Sequence, residues 1–112
     1  MDDQQRNKAK VRAAEKVVRN ANEQLASDVR ALFKQEAMRR VVLQFAEAMG
    51  ADTSPFNTNA MMQSRGIGMQ DAARWWMDIV REYCPEQEVV MRNEARAAAK
   101  AASLEIERAA YE

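Results

Sequence analysis

Residues 3–49 read DQQRNKAKVRAAEKVVRNANEQLASDVRALFKQEAMRRVVLQFAEAM, and none of these 47 positions is glycine or proline. Strong helix formers fill the stretch, so it is expected to wind into one long helix, or two joined at a kink. Its halves are patterned differently. In the first, the larger apolar residues are sparse and seven apart, Val11, Val18, Leu25 and Leu32, with Ala14 and Ala21 between them. That is a narrow seam of the kind through which helices pair. In the second, from Met38 to Met49, Val41, Val42, Leu43, Phe45, Ala46 and Ala48 occupy nearly the whole circumference, and such a segment is expected to be surrounded by other helices.

Outward from this stretch, Gly50 suits a helix C-terminus because glycine takes a positive φ without steric cost. Ala51-Asp52-Thr53-Ser54-Pro55 is turn chemistry, and Asn57-Thr58-Asn59 offers N-caps for a short helical piece through Met61, Met62 and Ser64. Arg65-Gly66-Ile67-Gly68 is expected to loosen or break the chain. A further helix from about Met69 sets Met69, Ala72, Ala73, Trp76, Ile79, Val80 and Tyr83 on one face, and Pro85 stops it. Glu86 to Glu112 again lacks glycine and proline and forms the closing helix, with Val90, Ala97, Leu104 and Tyr111 seven apart as a second seam. Glu15 with Arg19, Glu36 with Arg40 and Glu88 with Arg92 stand four apart in the favourable order. There is no internal repeat.

Composition agrees with this pattern: 21 alanines stand against 3 glycines and 2 prolines in 112 residues, a length that suits one domain. The fold expected is therefore all-α, a small helical bundle with long N- and C-terminal helices and no sheet. Residues 1–112 form one domain, with an arm at 1–28, a compact core at 29–89 and an arm at 90–112.

Seventeen Lys plus Arg balance seventeen Asp plus Glu, and there is no His. A Ser-His-Asp triad or a Cys-His pair is thus ruled out. Cys84 is the single cysteine and cannot supply a disulfide or a thiolate zinc cage. No catalytic residue, cofactor-binding residue, cofactor, metal ligand or small-molecule substrate is expected, and an enzyme is the last class to consider. The acidic, polar Met-Asp-Asp-Gln-Gln start is unlike a signal peptide, and no apolar run approaches the roughly 20 residues needed to span a bilayer. A reducing cytosol, or a particle packed there, is the expected setting.

Several smaller motifs have modest readings. Gly66-Ile67-Gly68 follows no strand and has no third glycine, so a hinge or close helix contact is preferred to a phosphate cradle. Trp75 and Trp76 point roughly 100° apart on a helix. Trp76 lies mid-stripe and is expected in the core, while Trp75 at its edge covers another helix or a partner subunit. Met61, Met62, Met69 and Met77 read as core filling before an adaptable groove. Arg6, Lys8, Lys10, Arg12, Lys16 and Arg19 make the first 20 residues basic by a net of three, read first as a solvated face with non-specific DNA proximity as the alternative. Asp71 and Asp78 are expected to be neutralised by Arg74 and Arg81, and Cys84 to act as a small apolar residue near a helix end.

The middle of the chain has a further order. Phe33 precedes Arg39-Arg40-Val41-Val42, Phe45 and Gly50; then come Pro55-Phe56, an Ala/Met piece reaching Gly68, Ala72-Ala73-Arg74-Trp75-Trp76, and Pro85 followed by Val90-Met91 and Glu94. This order resembles a small bacteriophage protein family, typified by a short protein of a Bordetella podophage and found in tailed phages, especially short-tailed ones. The likeness covers roughly Leu32 to Ala95. The chain departs from the family pattern at Glu36-Ala37-Met38-Arg39, where a Thr-Pro-(x)-Gly-Arg approach is usual, and at Gly68-Met69-Gln70, where Gly-Arg-Arg is usual.

The resemblance implies a non-enzymatic, multi-copy structural component of a short-tailed phage virion, assembled in the host bacterial cytoplasm. It would be internal, associated with the portal or the ejection-protein core. The implied partners are further copies of the chain, as a homo-oligomer, and other virion proteins of the portal, internal core or tail. The alternatives are an assembly adaptor or scaffold, and a helical binding protein with weak nucleic-acid contacts through its basic arm. The candidate interface is Val11, Val18, Leu25, Leu32, Trp75, Ala97, Leu104 and Tyr111. If the seams meet within one chain they run antiparallel, with Val18 and Leu25 against Ala97, Ala101 and Leu104; otherwise they meet neighbouring subunits around a ring.

Overall fold

The computed structural model of the chain describes residues 2–112. Among them are four helices and no strand: α1 (Asp3–Phe33), α2 (Glu36–Ala48), α3 (Ala60–Tyr83) and α4 (Pro85–Ala110). The all-α fold expected from composition and periodicity is the fold observed. Asp2 opens α1 with a capping box: its carboxylate accepts from the Gln5 amide at 2.7 Å, and the Gln5 side chain accepts from the Asp2 amide at 3.1 Å.

The long first stretch is two helices rather than one, parted at Lys34–Gln35 without glycine or proline. The reason lies in the faces each half must bury. On one straight helix the buried face of Ala26, Val29 and Phe33 and that of Val42, Leu43 and Ala46 would stand about 120° apart. Breaking the helix at Gln35, whose ψ of 123° is extended, turns both toward one core. The freed end is then satisfied: the Gln35 amide bonds the Leu32 carbonyl at 3.0 Å, and Arg39 Nη1 donates to the Phe33 carbonyl at 2.9 Å.

Gly50 ends α2 as expected, with φ 75°. Its amide bonds the Glu47 carbonyl at 3.1 Å and the Ala51 amide reaches back to Ala46 at 3.0 Å, the paired bonds of a Schellman motif. Asn59 caps α3, its side chain accepting from the Met61 and Met62 amides. The break expected at Arg65–Gly68 is absent, since α3 runs through both glycines as one helix. A tertiary contact accounts for this at Gly66, whose Cα side faces Pro55 closely enough that an added Cβ would lie 3.5 Å from it.

The expected face of α3 is for the most part the one that packs: Ala73, Ile79 and Val80 are buried and Met69, Trp76 and Tyr83 are partly buried, while Gln70 and Met77, which the stripe left out, widen the buried face to one side. Trp76 is half-buried against the core, with its ring 6.4 Å from that of Phe33, and Ala72 is exposed. Small residues let α3 approach closely, and the large ring is left to seal the edge. Pro85 does stop α3, and it also opens α4 at the first helical position, where its missing N–H is not needed. Cys84 serves both helices as cap, and Arg30 of α1 donates Nε to the Tyr83 carbonyl at 3.0 Å.

All the buried residues but Ala26 and Gln70 form one cluster drawn from all four helices, from Val29 and Phe33 through Met77 and Val80 to Met91. Outside it the arms project. The radius of gyration is 21.4 Å, against about 13 Å for a compact chain of this length, and the longest extent is 84 Å.

Candidate interaction surfaces

A bidentate ion pair ties α4 to the corner between α1 and α2. Arg39 Nε donates to Glu94 Oε1 at 2.6 Å and Nη2 to Oε2 at 3.2 Å, while Nη1 holds the Phe33 carbonyl. The hydrogen bond to Glu94 raises the guanidinium pKa, against the opposing effect of burial. The two residues are 55 apart in the chain, so periodicity carried no signal for the contact. A second knot sits where α3 meets α4: Glu88 accepts from Arg81 Nε at 2.7 Å and from Arg92 Nε at 3.1 Å, and Arg92 reaches Asp52 at 3.6 Å. The Arg81 hydrogen bond, helped by Arg92 and opposed by burial, holds the Glu88 carboxyl below its ordinary range. Arg81 is thus committed to Glu88, with Asp78 only at 4.0 Å. Of the three i,i+4 pairs, Glu88–Arg92 and Glu36–Arg40 are within 4 Å, and Glu15–Arg19 is not among the ion pairs of the described residues.

One polar residue is buried in the core, and sequence reading missed it. Gln70 donates Nε2 to the carbonyls of Gly50 and Thr53, fastening the turn after α2 to α3. Its signal was its place three residues before Ala73, on the same side of α3. Cys84 is buried, and that burial pushes its thiol pKa up. No group of three or more metal-ligating side chains occurs among the described residues. No helix there is long and apolar enough to cross a membrane.

The expected interface residues are spread over open surface. Val11, Val18, Leu25 and Leu32 are exposed on α1, and Ala97, Leu104 and Tyr111 on α4. The antiparallel meeting within one chain is therefore corrected: Val18 and Leu25 do not cover Ala97, Ala101 and Leu104, and both sets stay exposed. The reason is geometric, since the core-facing residue of α4, Met91, lies about 130° around the helix from the mean direction of its seam. Trp75 stands opposite the buried face of α3 rather than at its edge, 57% exposed, and packs edge-on against Trp76 with centroids 5.2 Å apart, so of its two expected roles the covering of another helix is the one corrected.

Met38–Met49 is not surrounded as expected, because Val41, Phe45 and Ala48 remain exposed. Met77 fills the core, whereas Met61 and Met62 lie exposed with Phe56 around the start of α3. The basic residues from Arg6 to Arg19 are exposed, and Lys8, Arg12, Lys16 and Arg19 share one side of α1.

Two concavities mark the surface. A cleft of about 240 Å³ lies between α2 and α4, floored by Leu43 and Met91 and rimmed by Glu36, Arg40 and Glu47. A wider, open groove of about 830 Å³ runs along α1 past Val11, Ala14, Val18 and Ala26 and ends at Glu82 and Tyr83 of α3. It is an extended apolar strip with charged margins, the form of surface onto which a helix packs. Comparison with protein-family models, curated proteins and solved structures finds no match to this chain.

Proposed function

We propose that the chain is a non-enzymatic, multi-copy structural component of a short-tailed phage virion, internal and associated with the portal or ejection-protein core. The observation that carries the assembly role is the pair of long helical arms whose apolar seams stay exposed among the described residues. From residue 3 to residue 25 every position of α1 is exposed. An isolated helix of that length is marginal in water, because most helix stability in proteins comes from packing. A neighbouring subunit supplies such packing. The phage setting is supported by the order of residues between Leu32 and Ala95 and by nothing beyond that resemblance.

The test is sedimentation velocity of the purified chain over a range of concentrations, followed by mass spectrometry of purified virions. Self-association together with presence in mature particles is expected. Self-association with absence from mature particles would replace the virion component by an assembly adaptor or scaffold.

A second reading is favoured by the one-sided basic stripe on α1, which suits weak phosphate contact. DNA affinity that falls steeply with salt would support it, with roughly one salt-slope unit per neutralised phosphate. Loss of that slope on changing Lys8, Arg12, Lys16 and Arg19 to Gln would assign it to the stripe.

A further inference from the structure

The arm along which the groove runs is polarised in charge. Between Asp3 and Glu15 the arm carries Arg6, Lys8, Lys10 and Arg12 with no acid. At the other end, where Ala26 and Arg30 meet Tyr83, the acids gather. Glu23 and Glu82 line the groove, Asp28 lies on α1 at that level, and Glu86 acts electrostatically on Cys84 next door. Arg30, the base at that end, is drawn onto the Tyr83 carbonyl. A basic tip on α1 and an acidic root built jointly by α1, α3 and the start of α4 complement a second, reversed copy of the same chain.

We propose that a second copy of this chain lies antiparallel on the groove face of α1, about a two-fold axis passing beside Val18. This rests on the multi-copy reading above and names its partner surface. The apolar spacing fits the operation: a two-fold at Val18 brings Val18 to the second copy's Val18 and Val11 to its Leu25, because both lie seven residues from the axis. The same operation carries Lys8 and Lys10 to the level of the second copy's Ala26 to Asp28, beside its Glu82 and Glu86. Interleaved alanines at 14 and 21 permit close approach.

In this register residues 4–32 overlap, a strip about 42 Å long and about 10 Å wide on each copy. The two strips together cover on the order of 800 Å², below the roughly 1,200–2,000 Å² of a stable standard interface, so the pair is of the weak, reversible class. Leu104, Tyr111 and the rest of the α4 seam stay free for other neighbours.

Cysteine crosslinking of the full chain tests the pairing, since Cys84 is buried and leaves the introduced thiol as the reactive one. On mild oxidation Val18→Cys is expected to give a disulfide dimer in high yield. Val11→Cys and Leu25→Cys are expected to give little alone and a dimer when mixed. Equal yields from all three single variants would overturn the proposal. So would efficient crosslinking of Val18→Cys only when mixed with Leu104→Cys, which would identify the α4 arm as occupant.

A charge swap gives an independent reading that needs no cysteine. Lys8→Glu with Lys10→Glu should weaken self-association about tenfold at low salt, and adding Glu82→Lys and Glu86→Lys should restore it. Failure to restore in a chain of unchanged helicity would overturn the pairing. A parent chain that is monomeric at every concentration would overturn the multi-copy reading as well. A parent that self-associates without the Val18 crosslink would overturn the pairing alone.

Discussion

Gln70 offers a direct measure of how much the turn after α2 depends on α3. It is 4% exposed, and its Nε2 serves two carbonyls, Gly50 and Thr53. These carbonyls are not equal. Gly50 also accepts from the Thr53 amide at 3.2 Å and from Thr53 Oγ1 at 3.1 Å, so losing Gln70 leaves it served. The Thr53 carbonyl has Gln70 as its protein donor. Gln70→Met keeps the volume and flexibility of the side chain and removes the hydrogen bond to that carbonyl, which sits on an exposed loop residue, so the loss is that of a net hydrogen bond, about 0.5–1.5 kcal/mol. The thermal midpoint should then fall by about 2–8 °C at matched protein concentration.

Gln70→Glu sharpens the test because it places a carboxylate against two carbonyls. Burial and those carbonyls raise the folded-state pKa of the new acid above its unfolded value of about 4.3. A raised pKa means that the folded form favours the protonated acid. The variant should therefore be less stable than Gln70→Met at pH 7 and recover toward it as pH falls from the raised folded-state value to about 4.3, below which the neutral acid donates one bond. Chemical denaturation of parent and both variants at pH 7 and pH 4 is the assay. A Gln70→Met chain within about 0.5 kcal/mol of the parent, or a Gln70→Glu chain whose deficit does not shrink in acid, would refute the argument.

Other expectations follow from single contacts. Gly50→Ala should destabilise by at least about 1–2 kcal/mol, since φ is positive and the new Cβ would stand 2.7 Å from Thr53 Oγ1. Gly68→Ala should stabilise by about 0.5–1 kcal/mol, since nothing lies within 4 Å of its Cβ position inside α3; urea midpoints of opposite sign are the check. Glu88 is depressed in pKa by Arg81 and Arg92, so its stabilisation is present above the unfolded value of about 4.3 and is lost as pH falls through the folded value. Glu88→Gln should accordingly lower stability at pH 7 and make little difference in strong acid, and a deficit of equal size at both would show the ion pairs to be inert. The Cys84 thiol should react with an aromatic disulfide at the rate of unfolding, because it is buried and its pKa is raised. Rapid labelling of the native chain would contradict its place between α3 and α4.

Local chemistry determined the class of fold and the ends of its helices. The absence of glycine and proline over residues 3–49 dictated helix, Gly50 its stop, Asn59 a cap and Pro85 a boundary, because each acts through backbone bonds a few residues away. The sevenfold seams were legible too, since spacing alone places residues on one face of a helix. Which face meets the core is a different question, decided by neighbours far along the chain. The break at Lys34–Gln35 exists because two faces about 120° apart had to share one interior. Gly66 and Gly68 did not interrupt α3, whose packing outweighs a propensity deficit of about 1 kcal/mol per glycine. Gln70 went inward and Trp75 outward because close helix approach favours small and linear side chains over a wide ring. Arg39 found Glu94 across 55 residues. The seams stayed open for the same reason: the core turned Met91 inward, and the rigid helix then carried Val90, Leu104 and Tyr111 away from α1.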